Sequence, residues 1–506
     1  MLVVFISGMS IMAIEMSASR LLAPYFGSSL FVWTNIIGII MMALSIGYYV
    51  GGKLGDKFVD EFLLYEIIIG ASFFIALIPL ISKPIMALSL TAIDQSSIGL
   101  FYGSLVATIV LFSLPLILLG MVSPYAIRVC SSKLTKVGNT AGNIYSLSTV
   151  GSIIGTFIPA LITIPFMGTA RTIILFALFL MVFSSIGLLR KKGKSKLFLI
   201  FPLLAVFLFF FVNTIKPVNG LIFEDESIYN YIQVVEDNEG RINLHLNEGV
   251  STHSIYDPDK IIINGVWDYF NIIPLLKNDS EEILIIGIAA GTIAREYDYF
   301  FPNINIDGVE IDSSILEVGR KYFGMKDNTN ELNSNLVNYE IDGRVFLKTT
   351  EKYYDAIIID AYKQPYIPFH LTTKEFFKEV KLHLKQKGVV AINVGSTDRN
   401  SEVLGFILNT MKSVFDNVWL VPVKNSLNFL VLGSESYYNL STISENIGVI
   451  ENYQQKSELA DLFMMVHFVQ FNHENIEFDP NILVLTDDKA PVEIFTDKMI
   501  FEYAKK

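Results

Sequence analysis

Residues 281–297 read EEILIIGIAAGTIAREY. The apolar run Ile283 to Ile286 predicts a strand, the glycine-bounded stretch after it a tight turn, and Thr292 onward a helix. Such a unit often forms a nucleotide site, because free backbone N–H groups and the helix dipole face the ligand. Here only Gly287 and Gly291 are glycine, with Ile288, Ala289 and Ala290 between them. A lone G-x-x-x-G turn is more often plain tight packing, so its surroundings must decide.

Those surroundings repeat one rhythm. EILIIGI, NINIDGVEID, NLVNYEIDGR, YDAIIIDAY and GVVAINVGS are apolar strands that alternate with helical stretches, and each ends near glycine or an acid. This predicts a mainly parallel, doubly wound α/β sheet of Rossmann-like methyltransferase type, with ligands at the C-terminal strand edge. Acids fall at that edge. Glu310 and Asp312 close the second strand, about 20 residues past the glycine turn, where a carboxylate can accept both ribose hydroxyls. Asp342 opens DGR after the third strand, within reach of an adenine amino group, and Asp360 ends the fourth. Any one of them is as readily a helix cap or a solvated turn. Together with the glycine turn they predict a nucleoside site, cofactor-binding through Gly287, Gly291, Glu310 and Asp342. Asp355, at the preceding turn, is expected to be structural.

The missing glycines bear on the ligand. A dinucleotide needs several glycines so that backbone can approach a pyrophosphate. An adenosyl sulfonium or thioether has no phosphate and tolerates the bulkier Ile288 and Ala289. S-adenosylmethionine or a relative therefore fits better than NAD.

The amino-terminal half belongs in another solvent. Of 506 residues 52% are hydrophobic, and mean hydropathy is +0.47. Residues 1–213 hold 13 Lys/Arg and 6 Asp/Glu, a net of +7, while residues 214–506 hold the other 25 and 44, a net of −19. Crossing a bilayer takes about 20 apolar residues. Seven stretches qualify, roughly 2–23, 30–51, 63–82, 99–121, 143–166, 172–189 and 197–215. Glu15 lies inside the first, where a carboxylate is expensive and should face the bundle interior. Small residues in IGYYVGGKLGD and STVGSIIGTF predict close helix contacts. Basic residues follow the even-numbered spans: Lys53 and Lys57, then Arg128, Lys133 and Lys136, then Arg190, Lys191, Lys192, Lys194 and Lys196. The positive-inside rule places those loops in the cytoplasm and, with seven spans, residues 216–506 outside. A cytosolic nucleoside ligand requires the reverse, and on ligand supply alone the soluble part is expected in the cytoplasm.

Cys130 is the single cysteine, which excludes internal disulfides and cysteine-rich zinc sites. The six histidines are scattered, so no metal site is expected. The acidic soluble half carries no basic, aromatic-laced patch for nucleic acid. YNYIQVVED, GRINLHLNEG and DKIIING predict antiparallel strands of a small β subdomain. The expected organisation is a multi-pass domain at 1–215, a β subdomain at 216–265, the Rossmann-like domain at 266–440 and an extension at 441–506.

GIAAGTIARE, GVEID, ILEVGRKYFG, EIDGRVFL, YDAIIIDAY and PFHLTTKEFFKEV, in this order, resemble the spermidine synthase (polyamine aminopropyltransferase) family. EMSASRLLAPYFGSSLFVW, GYYVGGKLGD, STVGSIIGTF and LTDDKAPVE resemble its membrane-anchored branch. The resemblance implies transfer of an aminopropyl group from decarboxylated S-adenosylmethionine, a co-substrate and not a resident cofactor, to an amine. It implies Glu310 on the ribose, Asp342 and Gly343 on the adenine side, Asp360 as general base and Tyr229, with Asn230, along the amine channel. Departures fall on the amine side. Ala290 stands for an aspartate of the glycine loop, Asn230 for a glutamine, Trp267 for a nucleoside-contacting histidine, and Lys363 for a second acid three residues past the base. A lysine there repels a diamine, which disfavours putrescine. Expected partners are therefore a nucleoside donor, an amine acceptor, the lipid bilayer and, at most, a second copy of the chain. Two alternatives stand beside this: an S-adenosylmethionine-dependent methyltransferase, favoured by Ala290, and a non-catalytic nucleoside or polyamine sensor gating a transport-like bundle.

Overall fold

The structure is a computed structural model that describes residues 1–27, 30–91, 97–131, 137–190, 199–212, 215–247, 251–331, 334–363, 365–450 and 456–504. It forms two compact units, Met1–Val218 with Glu224–Tyr231, and Asn219–Phe223 with Ile232–Lys506.

The first unit is helical, with α1 (Leu2–Phe26), α2 (Leu30–Lys57), α3 (Glu61–Thr91), α4 (Ser97–Gly120), α5 (Val122–Cys130), α6 (Val137–Ile158), α7 (Ile164–Met167), α8 (Thr169–Leu188) and α9 (Ile200–Phe211). Among the described residues six stretches are long and apolar enough to cross a membrane, the last being Thr169–Leu188. The seventh apolar segment appears as α9, of only 12 residues, or about 18 Å of helix against a hydrocarbon core of about 30 Å. The glycines expected to bring helices together do so. A Cβ on Gly151 would lie 2.1 Å from the Phe5 carbonyl oxygen, and one on Gly47 2.3 Å from that of Ile117. Backbones therefore touch where α6 crosses α1 and where α4 crosses α2.

The chain leaves α9 at a defined end of the bundle. Tyr25 Oη donates to the Ile215 carbonyl at 2.9 Å and Lys216 Nζ to that of Pro24 at 2.7 Å. Glu226 accepts the Thr169 N–H at 2.6 Å and caps the start of α8. Residues 215–218 and 224–231 thus sit where α1 ends and α8 begins. The ends of α2 and α5, joined by Arg128–Asp56 at 3.4 Å, lie opposite. Lys133, Lys136, Lys191, Lys192, Lys194 and Lys196 are outside the described residues.

A four-stranded sheet runs β1 (Leu221–Glu226), β2 (Tyr231–Glu236), β3 (Ile242–Leu246), β4 (Thr252–Tyr256), in that order. Its β2–β3 and β3–β4 pairs are antiparallel. DKIIING, expected as a strand, is irregular. Asp268 takes the N–H groups of Ile263 (3.2 Å) and Gly265 (3.0 Å), and Asn264 turns left-handed at φ 58°. Those amides cannot then pair with a neighbouring strand.

The larger sheet is mixed. Helix α10 (Ile272–Leu276) precedes β5 (Glu282–Ile286), α11 (Thr292–Phe300), β6 (Asn305–Glu310), α12 (Ser313–Tyr322), β7 (Leu336–Glu340), α13 (Gly343–Thr349) and β8 (Tyr354–Ile359). Then follow α14 (Lys374–Leu382), β9 (Leu384–Gly395), α15 (Glu402–Lys412), β10 (Asn417–Pro422), β11 (Asn428–Ser434), α16 (Lys456–Asn472), β12 (Glu474–Asn475) and α17 (Val492–Ala504). The strand order is β12-β10-β11-β9-β8-β5-β6-β7. Strands β7 to β9 are parallel and the β9, β11, β10, β12 edge is antiparallel. Fully buried Ile283–Ile286 and Ala356–Ile359 run down its centre, as expected of strands covered on both faces. Asp355 anchors the opposite edge, taking Lys277 at 2.9 Å and Lys385 at 2.8 Å together with two backbone N–H groups.

Candidate active site

The parallel strands end side by side, so the residues just past β7, β6, β5 and β8 share one edge. Gly287 has φ 83°, and a Cβ there would lie 2.6 Å from the Ala361 Cα. The loop after β5 therefore runs against the loop after β8, and only glycine fits. Gly291 is left-handed at φ 89° and caps α11. All five amides of the loop are spent internally. Gly287 and Ile288 donate to the Val309 carbonyl and Gly291 to that of Ile288. Ala289 donates to Glu310 Oε2 at 3.1 Å and Ala290 to Ser254 Oγ at 3.0 Å. A pyrophosphate cradle needs such donors free. This loop has none to offer.

Glu310 ends β6 and is 8% exposed. Its other oxygen takes the Asp312 N–H at 3.2 Å. Burial, helped by the charge of Asp312, pushes its carboxyl up to about 7, against backbone donors at Asp312, Ala289 and Ile311 that favour the anion. Asp342 caps α13 through the N–H groups of Arg344 and Val345, both at 3.0 Å. Its second oxygen lies 3.0 Å from His370 Nε2, and that bond holds it below the usual carboxylate range. Gly343 owes its identity to packing, since a Cβ would meet Ile286 Cγ2 at 2.2 Å.

Arg344 locks this corner. Its five N–H groups reach Glu379 (2.9 and 2.9 Å), Asp487 (2.8 and 2.9 Å) and the His370 carbonyl (3.1 Å). Asp487 also accepts from Thr373 Oγ1 at 2.7 Å. His370, Arg344, Glu379 and Asp487 had no role assigned from sequence, although each lies inside a stretch quoted for the resemblance or next to one.

Asp360 follows β8, and its backbone N–H donates to the Ile286 carbonyl at 2.9 Å. Its Oδ2 takes the Trp267 indole N–H at 3.1 Å and its Oδ1 the Asn393 amide at 2.8 Å. Burial pushes the carboxyl up to about 7, while the two donors pull it back. Such a group can take a proton near neutral pH. Lys363 is exposed, in a turn where its backbone and that of Tyr366 exchange two hydrogen bonds (2.8 and 3.0 Å). Tyr366 Oη donates to Asp497 of α17 at 2.6 Å. Tyr229 and Asn230 form the turn between β1 and β2, with both N–H groups on Ser227 Oγ. They belong to the helical unit, whereas the carboxylates belong to the other. Among the described residues no cluster of His, Cys, Asp and Glu has metal-binding geometry.

A family profile described as spermine/spermidine synthase domain matches residues 271–429. The chain is 30% identical over 303 residues to a "Probable polyamine aminopropyl transferase" of Bifidobacterium longum, covering 57% of this chain and 66% of that protein. It is 30% identical over 286 residues to a "Polyamine aminopropyltransferase" of Vibrio vulnificus, covering 54% of this chain and 91% of that one. A crystal structure of a probable spermidine synthase from Corynebacterium glutamicum aligns over 52% of this chain and 98% of its own, with TM-score 0.38 and 19% identity.

Proposed function

Because the chain belongs to the polyamine aminopropyltransferase family, we propose that its α/β unit transfers an aminopropyl group from decarboxylated S-adenosylmethionine to an amine. The observation that carries this is Asp360: a base pushed up to about 7, on the strand next to a glycine loop with no amide left for phosphate. Glu310 accepts the ribose hydroxyls and Asp342 faces the adenine. The neutral amine nitrogen attacks the aminopropyl carbon bound to the sulfonium, and a C–N bond forms as the C–S bond breaks. The electron pair stays on sulfur, leaving methylthioadenosine, and Asp360 takes the ammonium proton.

Lys363 sets the acceptor class. Two unit charges about 4 Å apart cost ~4 kcal/mol at an effective dielectric near 20, and solvent lowers that figure at an exposed side chain. An acceptor with one ammonium, or with its second charge far from the first, avoids this cost. The membrane unit is proposed to hold the enzyme at a bilayer, and a cytosolic donor requires residues 216–506 in the cytoplasm. S-adenosylmethionine-dependent methyl transfer is the second possibility, favoured by buried Ala290 where an acid would select the decarboxylated donor.

Purified full-length protein incubated with each donor and a panel of mono-, di- and polyamines, read by mass spectrometry, tests this. Aminopropylated product and methylthioadenosine are expected, with turnover reduced about 100-fold or more in Asp360→Asn. Methylated product with S-adenosylmethionine, or equal turnover in Asp360→Asn, would overturn it.

A further inference from the structure

We infer that Trp267 and Asn393 are positioning residues that aim the Asp360 carboxylate and keep it able to accept a proton. This rests on the base role proposed above and adds how this chain builds that base from an indole and an amide.

Each carboxylate oxygen takes one N–H: Oδ2 from the indole at 3.1 Å and Oδ1 from the amide at 2.8 Å. Two donors on the two oxygens fix the plane of the group and leave further lone pairs for a substrate ammonium. Neither donor titrates, so the pair favours the anion at every working pH. That support is needed, because burial alone drives an aspartate toward its neutral form, which cannot act as a base. Among the described residues Tyr362 is the titratable side chain coupled to this charge, and its phenol is raised by burial and by Asp360.

The polarity of the amide is set from outside. Asn428 Nδ2 donates to Asn393 Oδ1 at 2.8 Å, and Ser426 Oγ donates to Asn428 Oδ1 at 2.8 Å. Flipping Asn393 would set its oxygen against the carboxylate and its NH2 against the NH2 of Asn428. A directional chain Ser426, Asn428, Asn393, Asp360 results. It crosses β11 and β9, where Leu430 pairs with Asn393. The indole is held from the other side. Trp267 is 8% exposed and opens a short helix whose second residue, Asp268, clamps the N–H groups of Ile263 and Gly265.

The test uses full-length protein with Trp267→Phe, Asn393→Ala and Asn428→Ala. Removing a donor from a carboxylate raises its pKa, so the acid limb of the kcat–pH profile should move up by about one unit in the first two variants. Their kcat near neutral pH should fall roughly tenfold, and donor KM should stay within about twofold. Asn428→Ala should give a smaller shift in the same direction. A limb that stays in place while kcat and melting temperature fall together would overturn the inference, because a merely structural role predicts that pattern. Infrared titration of the carboxyl band that Asp360→Asn removes gives a readout free of turnover. A midpoint unmoved in Trp267→Phe and Asn393→Ala overturns the inference. A raised midpoint in a protein that transfers no aminopropyl group upholds it and overturns the proposed reaction instead.

Discussion

Glu310 offers a prediction whose size follows from its surroundings. Burial raises its carboxyl to about 7 without ligand, while the anion, with both oxygens free to accept, takes two ribose hydroxyls more strongly than the neutral acid does. Binding of methylthioadenosine must therefore draw Glu310 into its charged form and release a proton. If the complex keeps it ionised throughout, the apparent dissociation constant scales inversely with the ionised fraction of the free protein, and between about pH 8 and about pH 6 affinity falls roughly tenfold, ~1.4 kcal/mol. The sign for stability is opposite. A carboxyl raised in the fold favours folding while protonated, so the ligand-free protein loses stability as pH rises from about 4.5 to about 7. Ligand should thus shift the melting temperature more at the alkaline end. Calorimetry in buffers of differing ionisation enthalpy should find about half a proton released near pH 7. Glu310→Gln should flatten the profile and weaken binding by about 1–3 kcal/mol, the scale of lost charge-assisted hydrogen bonds. Asp360→Asn should keep the slope. Wild-type affinity that does not change with pH, or a slope that survives in Glu310→Gln, would refute this account.

Three further expectations concern charge. Lys363→Asp replaces repulsion by attraction for a second ammonium and should raise kcat/KM for short diamines roughly tenfold, with monoamines unaffected. Arg344→Ala leaves Glu379 and Asp487 facing each other around a buried gap and should cost about 2–4 kcal/mol. Asp487→Ala, at a side chain 46% exposed, should cost ~1 kcal/mol or less; melting curves giving the reverse order would refute the central place of Arg344. A reporter fused after Lys506 should read cytoplasm if the donor is cytosolic, with the bundle inserted against the bias of its basic loops; an outside reading would exclude a cytosolic donor.

The edge of the sheet was legible because it depends on local pattern. Strand period, the glycine turn and acids at strand ends located Gly287, Glu310, Asp342 and Asp360 without tertiary information. What those acids touch was not legible. Trp267 lies 93 residues from Asp360 and Asn393 lies 33, and they meet only because β9 pairs with β8 while the segment before α10 folds back over the edge. Arg344 and Asp487 are 143 residues apart; LTDDKAPVE looked familiar, but nothing in its spacing named its partner. DKIIING looked like a strand because apolar alternation does not reveal that a nearby aspartate has claimed its amides. The length of the seventh apolar segment was not legible either: hydropathy counts apolar residues, whereas α9 holds only 12 helical residues among those described.

The boundary between the two units passes through a strand, with Leu221 to Phe223 on one side and Glu224 to Glu226 on the other. No single cut of the gene therefore yields either half intact. A fragment starting at 216 would carry Glu226 without the α8 terminus that it caps, and a carboxyl held up to about 7 by burial would return to water and ionise, completing the formal −19 of that piece. A fragment ending at 218 would leave that helix start uncapped. Loss of activity in a soluble truncation would then report the cut strand and the uncapped helix, and says nothing of whether catalysis needs a bilayer.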